Sequence, residues 1–136
     1  MMTEDYKVKE GFYYTKEHEW AKKVDHGNVL VGIADYAQAQ LHEIVYVELP
    51  EMDAEVGQME AVGAVESVKA VSDFYCPVSG RVIEVNESLL DAPEKINEDP
   101  YGEGWIAKID PTNLEGDIEN LMNAEAYSEF LKTVAH

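Results

Sequence analysis

The chain has 136 residues, enough for one domain built on a single hydrophobic core. Its formal net charge of −18 sets it against nucleic acid and anionic membrane surfaces and favours a basic protein partner, although the same acidity also serves solubility alone. A single cysteine excludes an internal disulfide framework, and no run approaches the roughly 18 uninterrupted apolar residues of a membrane-spanning helix.

The opening residues, MMTEDYKVKEG, are mixed in charge and lack an apolar stretch, so neither a secretory signal nor an Arg-rich transit peptide is expected. That points to the cytoplasm; a chain already processed in a mitochondrial matrix would read the same. Residues 1–10 read as a loose polar lead. Phe12-Tyr13-Tyr14-Thr15 is an aromatic strand signal, and Glu19 through Val24 predicts a second strand. Asp25-His26-Gly27-Asn28 is a turn signal ahead of a strand over 29–33. Asp35 reads as the N-cap of a short helix, Gln38 completes a capping box, and the helix ends near Leu41. Val45, Val47 and Leu49 alternate along a strand that Pro50 stops. Two apolar runs, 61–65 and 71–76, flank Glu66-Ser67-Val68-Lys69, and both are expected to be buried. Ser79-Gly80 marks a turn before a strand over 81–86, and 104–109 predicts the last strand. The period then becomes helical. Thr112-x-x-Glu115 reads as a capping box for a helix carrying Leu114, Ile118, Leu121 and Met122. Asn123 caps a second helix with Tyr127, Phe130, Leu131 and Val134 on one face. No linker divides the chain. The expectation is a single domain over 1–136, mainly β with short helices and with C-terminal helices over 112–134.

Few residues nominate themselves for chemistry. His18, His26, His42 and His136 lack His-x-x-x-His spacing and a Cys-x-x-Cys partner, so no transition-metal site is expected. Cys76 reads as a small buried hydrophobe. There is no Gly-x-Ser-x-Gly, no Walker loop, no dinucleotide fingerprint and no nucleophile paired with a base. Lys69 stands out by its setting. Between two buried strands it must occupy an exposed turn, because burying an unpaired ammonium is costly. The turn lacks the Asn-Gly or Asp-Gly chemistry of a common hairpin. A long flexible amine on the tip of a rigid β element suits a tethered carrier, whose bound group meets partner sites at high effective concentration. Spacing alone also fits an ordinary solvated lysine, and for a lysine picked at random favours it.

The words around Lys69 carry more. Glu66-Ser67-Val68-Lys69-Ala70, followed by Ser72-Asp73, resembles the lipoylation site of the glycine cleavage system H-protein family. Tyr14-Thr15-Lys16-Glu17-His18-Glu19-Trp20 resembles that family's N-terminal signature, and Val31 through Gln38 its helix entry. Further blocks match in order: Glu43 through Pro50, Pro77 through Gly80, Val82 through Asn86, Ile96 through Trp105, and Ala124 through Tyr127. The resemblance runs from about residue 12 to 132 without large gaps.

The resemblance implies a barrel-sandwich hybrid of the lipoyl and biotinyl type. It would have two small antiparallel sheets, the lipoyl hairpin at one end and the C-terminal helices packed outside. It implies lipoate in amide linkage to Lys69 as the covalent cofactor. A pyridoxal-phosphate glycine decarboxylase (P-protein) would load the aminomethyl group of glycine onto the arm. An aminomethyltransferase (T-protein) would pass the one-carbon unit to tetrahydrofolate, and a dihydrolipoamide dehydrogenase (L-protein) would reoxidise the dithiol. The chain itself would be a carrier and not an enzyme. Glu66 would help a lipoyl ligase or transferase recognise the hairpin. A carboxylate would hold the cationic loaded arm in a cleft on the carrier, with Glu19 the first candidate and Asp73 a weaker one. Tyr36 and Glu17 depart from the His and Ser of some family members, so side-chain details of that docking do not carry over. Two other readings stand beside this one: a lipoate relay or sulfur-pathway carrier, and an unmodified acidic β module that binds proteins. A biotin carrier fits less well, because Val68 and Ala70 replace the methionines usual around a biotinyl lysine.

Overall fold

Alternating apolar residues and frequent turn signals make short strands the main regular structure of this chain. The computed structural model describes residues 2–3 and 6–134. In chain order the strands are β1 (Met2–Thr3), β2 (Tyr6–Lys7), β3 (Phe12–Tyr14), β4 (Glu19–Lys23), β5 (Val29–Ile33), β6 (Ile44–Glu48), β7 (Glu55–Val56), β8 (Ala61–Ser67), β9 (Val71–Tyr75), β10 (Gly80–Val85) and β11 (Ala107–Pro111). The helices are α1 (Asp35–Leu41), α2 (Ser88–Asp91), α3 (Lys95–Glu98), α4 (Leu114–Glu119) and α5 (Ala124–Val134). A six-stranded sheet runs β3-β4-β5-β11-β10-β7, a three-stranded sheet runs β6-β8-β9, and β1 pairs with β2. Two small sheets were expected; the larger one gains β3 and the two-residue β7 at its edges.

The two sheets share one core. Val29, Val31 and Ile109 from the larger sheet join Ile44, Val47, Val65 and Phe74 from the smaller one in a single buried cluster. Burying such aliphatic and aromatic side chains stabilises the fold by roughly 1.5–3 kcal/mol each. A second cluster, built on Phe12, Tyr14 and Trp20, receives Tyr127 and Leu131 of α5. Tyr14 and Tyr127 stack at 4.1 Å between centroids, so the C-terminal helix lies against the sandwich from outside. Trp20 pairs with Gly32 across β4 and β5, and a Cβ on Gly32 would lie 2.7 Å from the indole. Glycine is required there for the ring to lie over the neighbouring strand, from where its N–H donates to the Pro100 carbonyl at 3.0 Å.

Several expectations are corrected. The lead is tied down at its described end: Val8 is 1% exposed, the Lys7 N–H donates to Asp35 at 2.8 Å, and the Tyr101 hydroxyl donates to the Lys7 carbonyl at 2.7 Å. Asp35 is not an N-cap. Ala34 holds that position, and the Asp35 carboxylate instead accepts from Lys7 and from the Gln38 side chain. The capping box expected at Thr112 is absent, since Asn113 is the N-cap and makes no side-chain cap bond. Asn123 does cap α5, accepting the Ala126 N–H at 2.9 Å. Along β6 the alternation fails: Ile44 and Val47 are buried while Val45 is exposed. The register against β8 slips between Ile44 and Tyr46, and such a bulge inverts the facing of every later residue. The last strand begins at Ala107 and not at Gly104. Helices α2 and α3 have four residues each, too short for a helical period to register in the sequence.

Candidate functional site

β8 and β9 form a hairpin whose connection is residues 68–70. Ser67 organises that turn. Its N–H donates to the Ala70 carbonyl at 2.8 Å. Its Oγ accepts the N–H groups of Lys69 and Ala70, both at 3.1 Å. A serine hydroxyl thus does the work that Asn-Gly does in commoner hairpins. The tip is also fastened sideways, because the Val68 N–H donates to the Glu43 carbonyl at 3.0 Å.

Lys69 is exposed, and its Nζ donates to the Gln40 carbonyl at 3.0 Å. Gln40 is in the last turn of α1, where carbonyls lack a partner within the helix and a cation is welcome. The structure therefore supplies an accessible primary amine on a fixed turn, resting against a helix end. The premise that both flanking strands are buried is corrected. Val71, Ser72 and Asp73 are exposed, and only Phe74 of β9 and Cys76 just after it are buried. The three-stranded sheet keeps one face in solvent, so Val71 at 66% and Tyr46 at 53% exposure are uncovered, and Val68 in the turn is 66% exposed.

Register places the other candidates. Glu66 is exposed and stands between Tyr46 and Val71 in one cross-strand row. The next row is Glu48, Ala64 and Asp73. Asp73 lines an open cleft of about 380 Å³ together with Glu48, Glu51, Glu55 and Glu60. Glu19 is elsewhere. It is 2% exposed, so it is neither a solvated strand end nor a carboxylate facing an open cleft. The Thr15 hydroxyl donates to Glu19 Oε1 at 2.5 Å, and the Tyr75 N–H approaches Oε2 at 3.4 Å. Burial pushes its carboxyl up to about 7, against the lowering effect of those hydrogen bonds. Glu19 and Asp73 thus do not share a surface.

The remaining singled-out groups are accounted for locally. His18 is packed against Tyr36, Tyr127 and Phe130, with Nδ1 2.8 Å from the Tyr127 hydroxyl, and burial lowers its pKa to about 4. Cys76 is buried, and burial pushes its thiol up to about 12, which leaves it unreactive. Among the described residues no group of three or more His, Cys, Asp or Glu side chains could hold a metal ion, and His136 lies outside them. No helix among them is long and apolar enough to cross a membrane. Sequence reasoning missed the supports of the turn: the carbonyls of Gln40 and Glu43, and Ser67. Only Ser67 left a local signal, a hydroxyl two residues before the lysine.

The model of the glycine cleavage H-protein family matches residues 12–134. A probable glycine cleavage system H protein of Pyrococcus abyssi is 65% identical over 130 residues, covering 96% of each chain. The glycine cleavage system H protein of Anaeromyxobacter dehalogenans is 51% identical over 125 residues, covering 92% of this chain and 96% of the relative. Among solved structures, the crystal structure of a glycine cleavage system H protein from Mycobacterium marinum superposes with a TM-score of 0.81 at 36% identity, covering 95% of this chain and all of that one. The two facing sheets are therefore the barrel-sandwich fold of that protein.

Proposed function

The chain belongs to the glycine cleavage H-protein family, the lipoyl carriers of the glycine cleavage system, and from that premise we propose that Lys69 is the residue that bears the lipoyl group. The observation that supports this reading most is the pairing of an exposed Nζ with an immobilised backbone. An amine to be acylated must be reachable, and an arm that visits several enzymes needs a fixed root. When bound, lipoate supplies a reducible disulfide through which a one-carbon unit and electrons can be carried.

The residues of the chain then have separate tasks. Ser67, with the Glu43 carbonyl, holds the root. Glu66, exposed three residues before the lysine, is a recognition point for the lipoyl ligase or transferase. Asp73 is the accessible carboxylate for a cationic loaded arm, and Glu19 supports the edge of β9 from beneath. In this reading the chain is a carrier, and the chemistry on glycine belongs to its partners glycine decarboxylase, aminomethyltransferase and dihydrolipoamide dehydrogenase.

Intact mass of the chain from lipoate-replete cells tests the attachment. One lipoyl group is expected, mapped to Lys69 by peptide sequencing. A bare lysine under those conditions would return the chain to the class of unmodified acidic binding modules. For Glu66, the alanine variant is expected to be lipoylated more slowly by on the order of tenfold, with thermal stability nearly unchanged because the side chain is exposed. Wild-type lipoylation kinetics would remove Glu66 from the recognition surface.

A further inference from the structure

The lysine turn meets the α1–β6 region at two carbonyls: Glu43, between α1 and β6, accepts the Val68 N–H of the turn, and Gln40, in the last turn of α1, accepts from the Lys69 side chain. Ser67 shapes the turn from within, and that region fixes where its tip and the lysine head sit. His42, in the middle of that α1–β6 junction, has φ 66° and ψ −147°, a conformation nearly confined to glycine. A histidine stays there only if its surroundings hold it.

One side chain does so. Asn97, on α3, accepts the Ile44 N–H at 2.9 Å and donates to the His42 carbonyl at 2.7 Å and to the Gln38 side chain at 2.9 Å. It thereby clamps the last turn of α1, the strained residue and the first residue of β6 with one amide. Its acceptor and both donors are engaged, so neither aspartate nor alanine can replace it fully. We propose that Asn97 is the positioning residue for the lysine turn: it fixes the junction whose carbonyls hold Val68 N–H and Lys69 Nζ, and so sets how Lys69 is presented to the enzyme that acylates it. This rests on Lys69 being the attachment point. It extends that reading to a residue that touches neither the lysine nor the turn's own strands.

The test compares unlipoylated wild type, Asn97→Ala and Asn86→Ala. Asn86 is a buried asparagine that donates to the carbonyls of Glu103 and Trp105, so its loss controls for destabilisation without touching the junction. With a lipoate–protein ligase, lipoate and ATP, well below the melting temperature, Asn97→Ala should lower kcat/KM for the chain on the order of tenfold, mainly through KM, since the turn must be ordered on binding. Asn86→Ala should not. In the absence of ligase, exchange of the Val68 amide should be roughly tenfold faster in Asn97→Ala and unchanged in Asn86→Ala. A folded Asn97→Ala with wild-type KM, or an equal loss in Asn86→Ala, overturns the proposal. Should Asn97→Ala not fold, Asn97→Asp carries the same comparison, because it keeps the acceptor for Ile44 and loses both donors. If the ligase leaves wild-type Lys69 bare, the attachment reading fails, and the Val68 exchange still decides whether Asn97 holds the turn.

Discussion

Lys69→Arg is expected to abolish the lipoyl adduct and with it all glycine-dependent turnover by the reconstituted system, while the melting curve stays where it was. Arginine keeps the positive charge and can still donate to the Gln40 carbonyl. Its guanidinium stays protonated in proteins and offers no free amine to an activated acyl group. The turn does not depend on the lysine side chain, since its bonds come from Ser67 and from the Glu43 carbonyl. A surface substitution of this kind changes stability by no more than about 0.5 kcal/mol. The same variant therefore separates chemistry from folding, which Lys69→Ala does less cleanly. Mass spectrometry and turnover are read on one preparation. A lipoyl group persisting on the arginine variant would move the attachment to another lysine, and turnover persisting without an adduct would remove the carrier mechanism altogether.

How much of this was legible beforehand differs between fold and site. β5 is legible because Val29, Val31 and Ile33 face one core without interruption. β6 was misread because a bulge between Ile44 and Tyr46 is made by pairing with β8, and nothing in its own residues announces it. Val8 looked like part of a polar lead because its cover comes from distant residues of the aromatic cluster, Tyr101 among them. At the site, the ordered motif words located Lys69, whereas burial of the strands, the local premise for its exposure, does not hold at the tip. The supports were beyond reach for a plain reason. Two of them are backbone carbonyls, which every residue has, and Asn97 meets Ile44 across 53 positions of chain. The burial of Glu19 is hidden in the same way: Tyr75, whose N–H approaches its carboxylate from β9, lies 56 positions away.

That burial gives Glu19 the second large effect. In the unfolded chain its carboxyl titrates near 4.5, and in the folded chain near 7. Between those values the folded state holds the proton more tightly, so this group's contribution to stability falls as pH rises and is lost by about pH 7. The direction is opposite to that of a salt-bridged carboxylate. The span corresponds to on the order of 3 kcal/mol. Glu19→Gln keeps the shape and an acceptor for Thr15 and cannot ionise. Urea unfolding of both proteins from pH 4.5 to 8 should therefore give curves that converge or cross: the glutamine variant gains relative stability as pH rises and then runs parallel above pH 7. The other carboxylates are common to both chains, so their contribution cancels in the difference. Parallel curves throughout would mean that Glu19 ionises normally inside the fold. The same titration bears on the loaded arm. A carboxyl that is about half protonated at neutral pH, and sealed between Thr15 and Tyr75, is a poor holder for a cation. Asp73, open to solvent among other acids, is therefore the carboxylate we propose for that role.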